Sequence, residues 1–146
     1  NELGLTENVN FTGRVSDDEL KSAILSADIC FNPDRWNELN NLSTMNKIIE
    51  YMSLGRPIIQ FDLKEGRESA GASSLYIEPD NVEMMANETE KLLQSIELRQ
   101  HMSEIGKERF KRQLCWEEQV PPLFQAYERC LPKNTLMKIS ARESPQ

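Results

Sequence analysis

The stretch from Ser43 to Ile59 constrains this chain most, because it specifies a helix, the end of that helix and the strand that follows. Met45, Ile48, Ile49 and Met52 recur at i, i+3, i+4 and i+7, the spacing of a single buried helical stripe. Ser43 or Thr44 stands before the stripe, where a hydroxyl accepts from the first free backbone N–H groups. Gly55 falls where a left-handed residue closes a helix, and Pro57 prevents the helix from resuming. The pattern predicts a helix over 43–54, then a short buried strand over 58–61. A polar helix start next to a buried strand is where open α/β sheets receive anionic ligands.

The flanking sequence repeats the same alternation. Val9-Asn10-Phe11 is a strand candidate ended by Gly13, and Ser16 with Glu19 fits a capping box. Leu20, Ala23, Ile24 and Ala27 then form the inward stripe of a helix, and Ile29-Cys30-Phe31 reads as a buried parallel strand. Residues 32–42 form a polar loop carrying Asp34, Arg35, Trp36 and Asn37, and residues 63–73 a second surface loop. Leu75-Tyr76-Ile77 is the last strand. Asp80 and Glu83 suggest another capping box, opening a helix with Val82, Met85, Thr89, Leu92 and Leu93 inward. A charged helical stretch covers 97–114. Trp116, Val120, Leu123, Phe124, Tyr127 and Leu131 keep helical spacing, with Trp116 and Tyr127 expected in the core. Pro121-Pro122 conflicts with one unbroken helix and leaves a restart near Pro121 equally open. The fold class is therefore α/β: a parallel, Rossmann-like sheet of about four strands with flanking helices. Beyond Pro132 the periodicity fades, and residues 132–146 are expected to be a disordered tail.

Composition removes several function classes. The 146 residues suit one domain with a real core, and no run of about eighteen apolar residues marks a membrane span. A net charge of −7 argues against general nucleic-acid binding, which needs a basic footprint. Cys30, Cys115 and Cys130 lack paired spacing and read as reduced residues of a cytoplasmic protein. With His101 the sole histidine, neither a transition-metal site nor a Ser-His-Asp triad has support. The residues from Gly13 to Asp18 are no Gly-rich fingerprint, which speaks against a dinucleotide-dependent oxidoreductase. The first residues lack the features of a signal peptide and include no initiator Met, as in a chain that begins inside a longer protein or has a processed terminus.

The block Lys47–Met52 followed by Gly55-Arg56-Pro57-Ile58-Ile59 resembles the donor-site segment of retaining glycosyltransferases of family 4 (group 1). The resemblance extends through Val9–Val15, Ser26–Pro33, Ser74–Pro79, Leu98–Met102 and Trp116, in the family's order, over roughly residues 5 to 131. Such enzymes have two Rossmann-like halves, the GT-B fold, of which the C-terminal half holds a nucleotide-sugar. The resemblance thus implies that residues 1–131 are an N-terminally truncated donor-binding domain, part of that C-terminal half. It implies glycosyl transfer in the full protein, with retention of configuration and neither metal nor other cofactor. The expected partners are a nucleotide-sugar donor and a carbohydrate or lipid-linked acceptor, the latter held by the missing N-terminal half. The cations that neutralise the leaving diphosphate are likewise expected upstream, so the fragment alone is expected to be inactive.

The resemblance also assigns roles by position. Glu50 matches the second glutamate of the Glu-x7-Glu motif, which takes hydrogen bonds from the donor's ribose hydroxyls; an ionised carboxylate can accept from both. The alternative is a solvated Lys47–Glu50 pair. The motif's first glutamate is replaced by Leu42, and Glu38 in the preceding loop is the nearest acid. Either Glu38 substitutes as the catalytic carboxylate or the arrangement differs. Ser43, Thr44, Met45 and Asn46 would present backbone N–H groups to the diphosphate, with Lys47 as a cationic partner. Gly13 and Arg14 would lie beside the nucleotide base; the plainer alternative is a strand-ending turn. Trp36 either stacks on sugar or covers the core.

Overall fold

The computed structural model describes residues 3–131. The expected tail over 132–146 lies outside the described residues. Three strands, β1 (Cys30–Asn32), β2 (Ile58–Phe61) and β3 (Ser74–Ile77), form a parallel sheet in the order β1-β2-β3. Cys30 pairs with Ile58, and Ile58 with Ser74, so the strands start level. Every residue of β2 is buried, as a central strand covered on both faces requires.

Helices fill both faces. They are α1 (Asp17–Ser26), α2 (Glu38–Asn41), α3 (Asn46–Ser53), α4 (Lys64–Ala70), α5 (Val82–Gln94), α6 (Ile96–Arg109) and α7 (Trp116–Cys130). Ile48 and Met52 of α3, with Ala70 of α4, pack on Ile58. On the other face Met85 and Leu92 of α5 and Met102 of α6 cover Ile59, Phe61 and Ile77. The stripe read from Met45 to Met52 is therefore the core stripe. Truncating a fully buried side chain such as Ile48 typically costs about 2–5 kcal/mol.

The end of α3 closes as its sequence foretells. Gly55 adopts φ +65°, its N–H donates to Met52 O at 3.0 Å, and Arg56 N–H donates to Tyr51 O at 2.8 Å. These are the two bonds of a Schellman turn. Ser103 of α6 donates its hydroxyl to Gly55 O at 2.6 Å and pins the turn from outside. The first capping box also forms, with Ser16 Oγ accepting from Glu19 N and Glu19 accepting from Ser16 N. The Ser16 N–H and the Ser16 hydroxyl, both donating to Glu19 Oε2, hold the Glu19 carboxyl below its ordinary range.

Several expectations are corrected. Val9–Phe11 joins no strand; Phe11 is 92% exposed, and the sheet has three strands among the described residues. An extended segment needs a neighbour to take its ladder hydrogen bonds, and none lies beside it. The expected loop over 63–73 contains α4 and a 3-10 turn, Gly71–Ser73. The α5 helix is capped one residue later than expected, by Asn81, whose Oδ1 accepts from Met84 N at 2.9 Å, while Asp80 turns left-handed at φ 64°. Leu20, Val82 and Leu93 are exposed, not inward. A π-turn, Phe110–Leu114, follows α6, and α7 then runs through both prolines without a break. Trp116 and Tyr127 are 66% and 51% exposed, so neither is in the core. A helical stripe specifies an apolar face, not what covers it.

Candidate functional site

All three strands point their carboxyl ends the same way, so the loops after β1, β2 and β3 gather at one edge. Helix α3 begins at this edge, because it lies between the end of β1 and the start of β2. Its start carries no side-chain cap: Met45 holds the N-cap position without such a bond. The two hydroxyls expected to cap it are used elsewhere. Ser43 Oγ donates to Leu39 O at 2.6 Å, and Thr44 Oγ1 donates to Glu65 Oε2 at 3.2 Å. Ile48 N–H is the first α3 amide to find a backbone acceptor, Met45 O at 3.0 Å. The amides of Asn46 and Lys47 are thus left for whatever approaches the edge, at the positive end of the helix dipole.

Neighbouring segments brace this bare helix start. Lys64 N–H donates to Asn41 Oδ1 at 2.9 Å, so the first turn of α4 holds the end of α2. Asn40 Nδ2 donates to Arg35 O at 2.8 Å and folds the loop after β1 onto α2. Arg35 in turn pairs with Asp80 after β3, Nε to Oδ1 3.2 Å. Beneath the loops lies a buried polar line. Gln60 Nε2 donates to Ser74 Oγ at 3.0 Å and to Gly66 O at 3.3 Å, and Asn32 Nδ2 donates to Gln60 Oε1 at 3.4 Å. At the end of β2, Arg67 clasps Asp62 with two hydrogen bonds of 2.8 and 2.6 Å and lies 4.1 Å above the Tyr76 ring.

The carboxylates divide. Lys47 pairs with Asp34, Nζ to Oδ2 2.9 Å, and not with Glu50 as the solvated-pair alternative had it. Among the described residues Glu50 has no ion pair, and it is exposed on α3 one residue before Tyr51. Burial raises the Tyr51 phenol above its ordinary value, and negative charge on Cys30, Glu50 and Asp34 as they ionise adds to the shift. Glu38 opens α2, a helix capped by Asn37, and is exposed. Leu42, in the motif's first position, is also exposed. Gly13 takes φ +66° with open space around it, and Arg14 is exposed beside it, both in the strandless segment before α1. Trp36 is 59% exposed, which removes its reading as a core cover. The bracing residues Asn41, Glu65 and Asp80 escape sequence reasoning, since each acts across a distance in the chain that no local pattern records.

An open parallel sheet with helices on both faces defines a Rossmann-like α/β fold, and folds of this kind receive ligands among the loops at the carboxyl ends of their strands. The chain belongs to the group 1 glycosyltransferases, whose family model matches residues 1–95. It is 29% identical over 103 residues to an alpha-D-kanosaminyltransferase of Streptomyces kanamyceticus, covering 69% of this chain and 25% of that protein. Among solved structures it is similar to sucrose-phosphate synthase from Thermosynechococcus elongatus, with a TM-score of 0.78 at 21% identity over 88% of this chain and 32% of that one. That likeness gives the fold as part of a GT-B glycosyltransferase. The chain therefore spans about a quarter of the curated relative and about a third of the structural one. Among the described residues no helix is long and apolar enough to cross a membrane.

Proposed function

We propose that this chain is the donor-binding part of a retaining glycosyltransferase, taken from its C-terminal GT-B half, and holds a nucleoside-diphosphate sugar at the start of α3. The observation that carries the reading is the uncapped α3 start at the carboxyl edge of the sheet. The Asn46 and Lys47 amides donate to the diphosphate, and Lys47 supplies a positive charge already oriented by Asp34. Glu50, one turn along the same helix, accepts from the ribose hydroxyls. Gly13 leaves room for the base, and Arg14 stacks on it. In the whole protein the glycosyl group passes to an acceptor hydroxyl, and the leaving diphosphate gains stabilisation at the helix end as its charge grows. Glu38 serves as the carboxylate nearest the reacting sugar.

Leu42 favours a second reading, a nucleotide-binding module without turnover, because an apolar side chain there offers no charge to the transition state. An amide NMR titration of the chain with UDP, GDP and ADP tests the first reading. Shifts over 12–15 and 43–50, abolished by Glu50→Ala, are expected, and the strongest diphosphate identifies the base. A dispersed spectrum indifferent to all three overturns donor binding by this chain. Transfer or hydrolysis of a nucleotide-sugar by the whole protein then separates enzyme from module.

A further inference from the structure

A cavity of about 230 Å³ opens at the end of the sheet away from the α3 start, where Asp28 precedes β1 and Gly55, Arg56 and Pro57 precede β2. Two basic residues of α6, Arg99 and Lys107, line it together with Arg56, so three cations meet one carboxylate in a chain whose net charge is −7. Their bonds within the protein leave them underused. Arg56 donates one terminal N–H to Ala27 O at 2.9 Å, but its Nε–H is shielded from solvent and has no acceptor. Arg99 donates from one terminal nitrogen to both Leu92 O, at 2.9 Å, and Leu93 O, which leaves its other terminal nitrogen only a long contact, 3.8 Å, with Asp28. Lys107 has no ion pair among the described residues, and its side chain is draped over Gly55 so closely that a Cβ there would lie 2.0 Å from Lys107 Cε. The cavity runs along one side of α6, from Ile96 past Ser103 to Lys107.

Buried donors without acceptors are exceptional in folded proteins, and a guanidinium pair with an ammonium is the arrangement that recognises a tetrahedral oxyanion. We propose that this cavity is a phosphate-binding site, taking inorganic phosphate or the phosphoryl group of a phosphomonoester, with Arg56 and Arg99 donating hydrogen bonds and Lys107 closing over the anion. The site is separate from the α3 start, which lies at the opposite end of the strands, and it stands whether or not the donor reading does.

Inorganic phosphate and glucose 6-phosphate, each titrated into the 146-residue chain in 150 mM sodium chloride and followed by amide NMR, test it. Saturable shifts at 55–57 and 99–107 are expected, and whichever probe binds more tightly identifies the source of the phosphoryl group. Lys107→Gln, which breaks no bond in the described structure, should weaken binding about tenfold. Asp28→Asn, by removing the competing carboxylate, should tighten it. Shifts confined to 43–50, or shifts at 55–57 and 99–107 that are unchanged in both variants, overturn the proposal, as does no shift at all in a dispersed spectrum.

Discussion

Lys47 reaches from the first turn of α3 to Asp34 in the loop after β1, Nζ to Oδ2 2.9 Å, and so ties the helix start to the edge of the sheet. Both side chains remain partly exposed, at 38% and 26%, so a double-mutant cycle should give a coupling of only about 0.5–1 kcal/mol. The larger effect belongs to binding. Under the donor reading, Lys47→Ala weakens nucleoside-diphosphate affinity by about tenfold (~1.4 kcal/mol), and Asp34→Asn, which releases the ammonium, strengthens it. Calorimetric titration of both variants reads the opposite signs directly.

Glu50 is exposed and unpaired among the described residues, so its removal should not disturb folding. Glu50→Gln is expected to leave the urea midpoint within experimental error and to lower nucleotide affinity about tenfold. A 2′,3′-dideoxynucleotide should bind the native chain and the variant alike, since both hydroxyls that Glu50 reads are gone.

Gly66 has no room for a side chain. An added Cβ would lie 2.5 Å from Gln60 Oε1, an atom that is buried and held by Asn32. Gly66→Ala should therefore destabilise by about 1–3 kcal/mol, measured by denaturant unfolding. In a Gln60→Ala background the clash is absent, and the same substitution should cost clearly less, which separates crowding from loss of a special backbone conformation.

Burial pushes the Cys30 thiol from an ordinary 9.0 up to about 11, with Arg56 opposing, and the Tyr76 phenol from 10.0 up to about 12, with the Arg67 guanidinium opposing. Both are groups that the fold keeps protonated. Their contribution to stability is complete below pH 9, declines as the unfolded forms begin to ionise, and is lost once pH passes the folded values. The urea midpoint should fall from about pH 9 upward. At pH 8 a thiol reagent should modify exposed Cys130 at once and buried Cys30 only on unfolding.

What local chemistry decides was legible in the sequence. The stripe from Met45 to Met52, the Gly55 turn and the Ser16–Glu19 box each depend on neighbours in the chain, and each forms as read. The α4 helix was not legible, because Gly66 and four charged residues within 64–68 look like a loop. Gly66 is there for its close approach to Gln60, and Arg109 from α6 closes the helix by donating to Ser69 O at 2.7 Å and Glu68 O at 2.6 Å. Both causes are distant in sequence. Pro121 and Pro122 left two arrangements equally open, and the structure has the unbroken helix. The two carbonyls they leave without donors belong to Glu117 and Glu118, both exposed, where water can serve instead. At the candidate site the helix was legible, but it begins at Asn46, three residues later than expected, and its expected cap does not form, since Thr44 prefers Glu65, a residue 21 positions away.

The bond from Ser103 to Gly55 O gives α3 the mechanics of a short strut. Eight residues of helix span about 12 Å and are too stiff to absorb a displacement by bending. Whatever tilt the Ser103 anchor sets is delivered undamped to Asn46 at the far tip. The aim of the amides at this edge therefore depends in part on α6, through a hydroxyl at the opposite end of the helix from them.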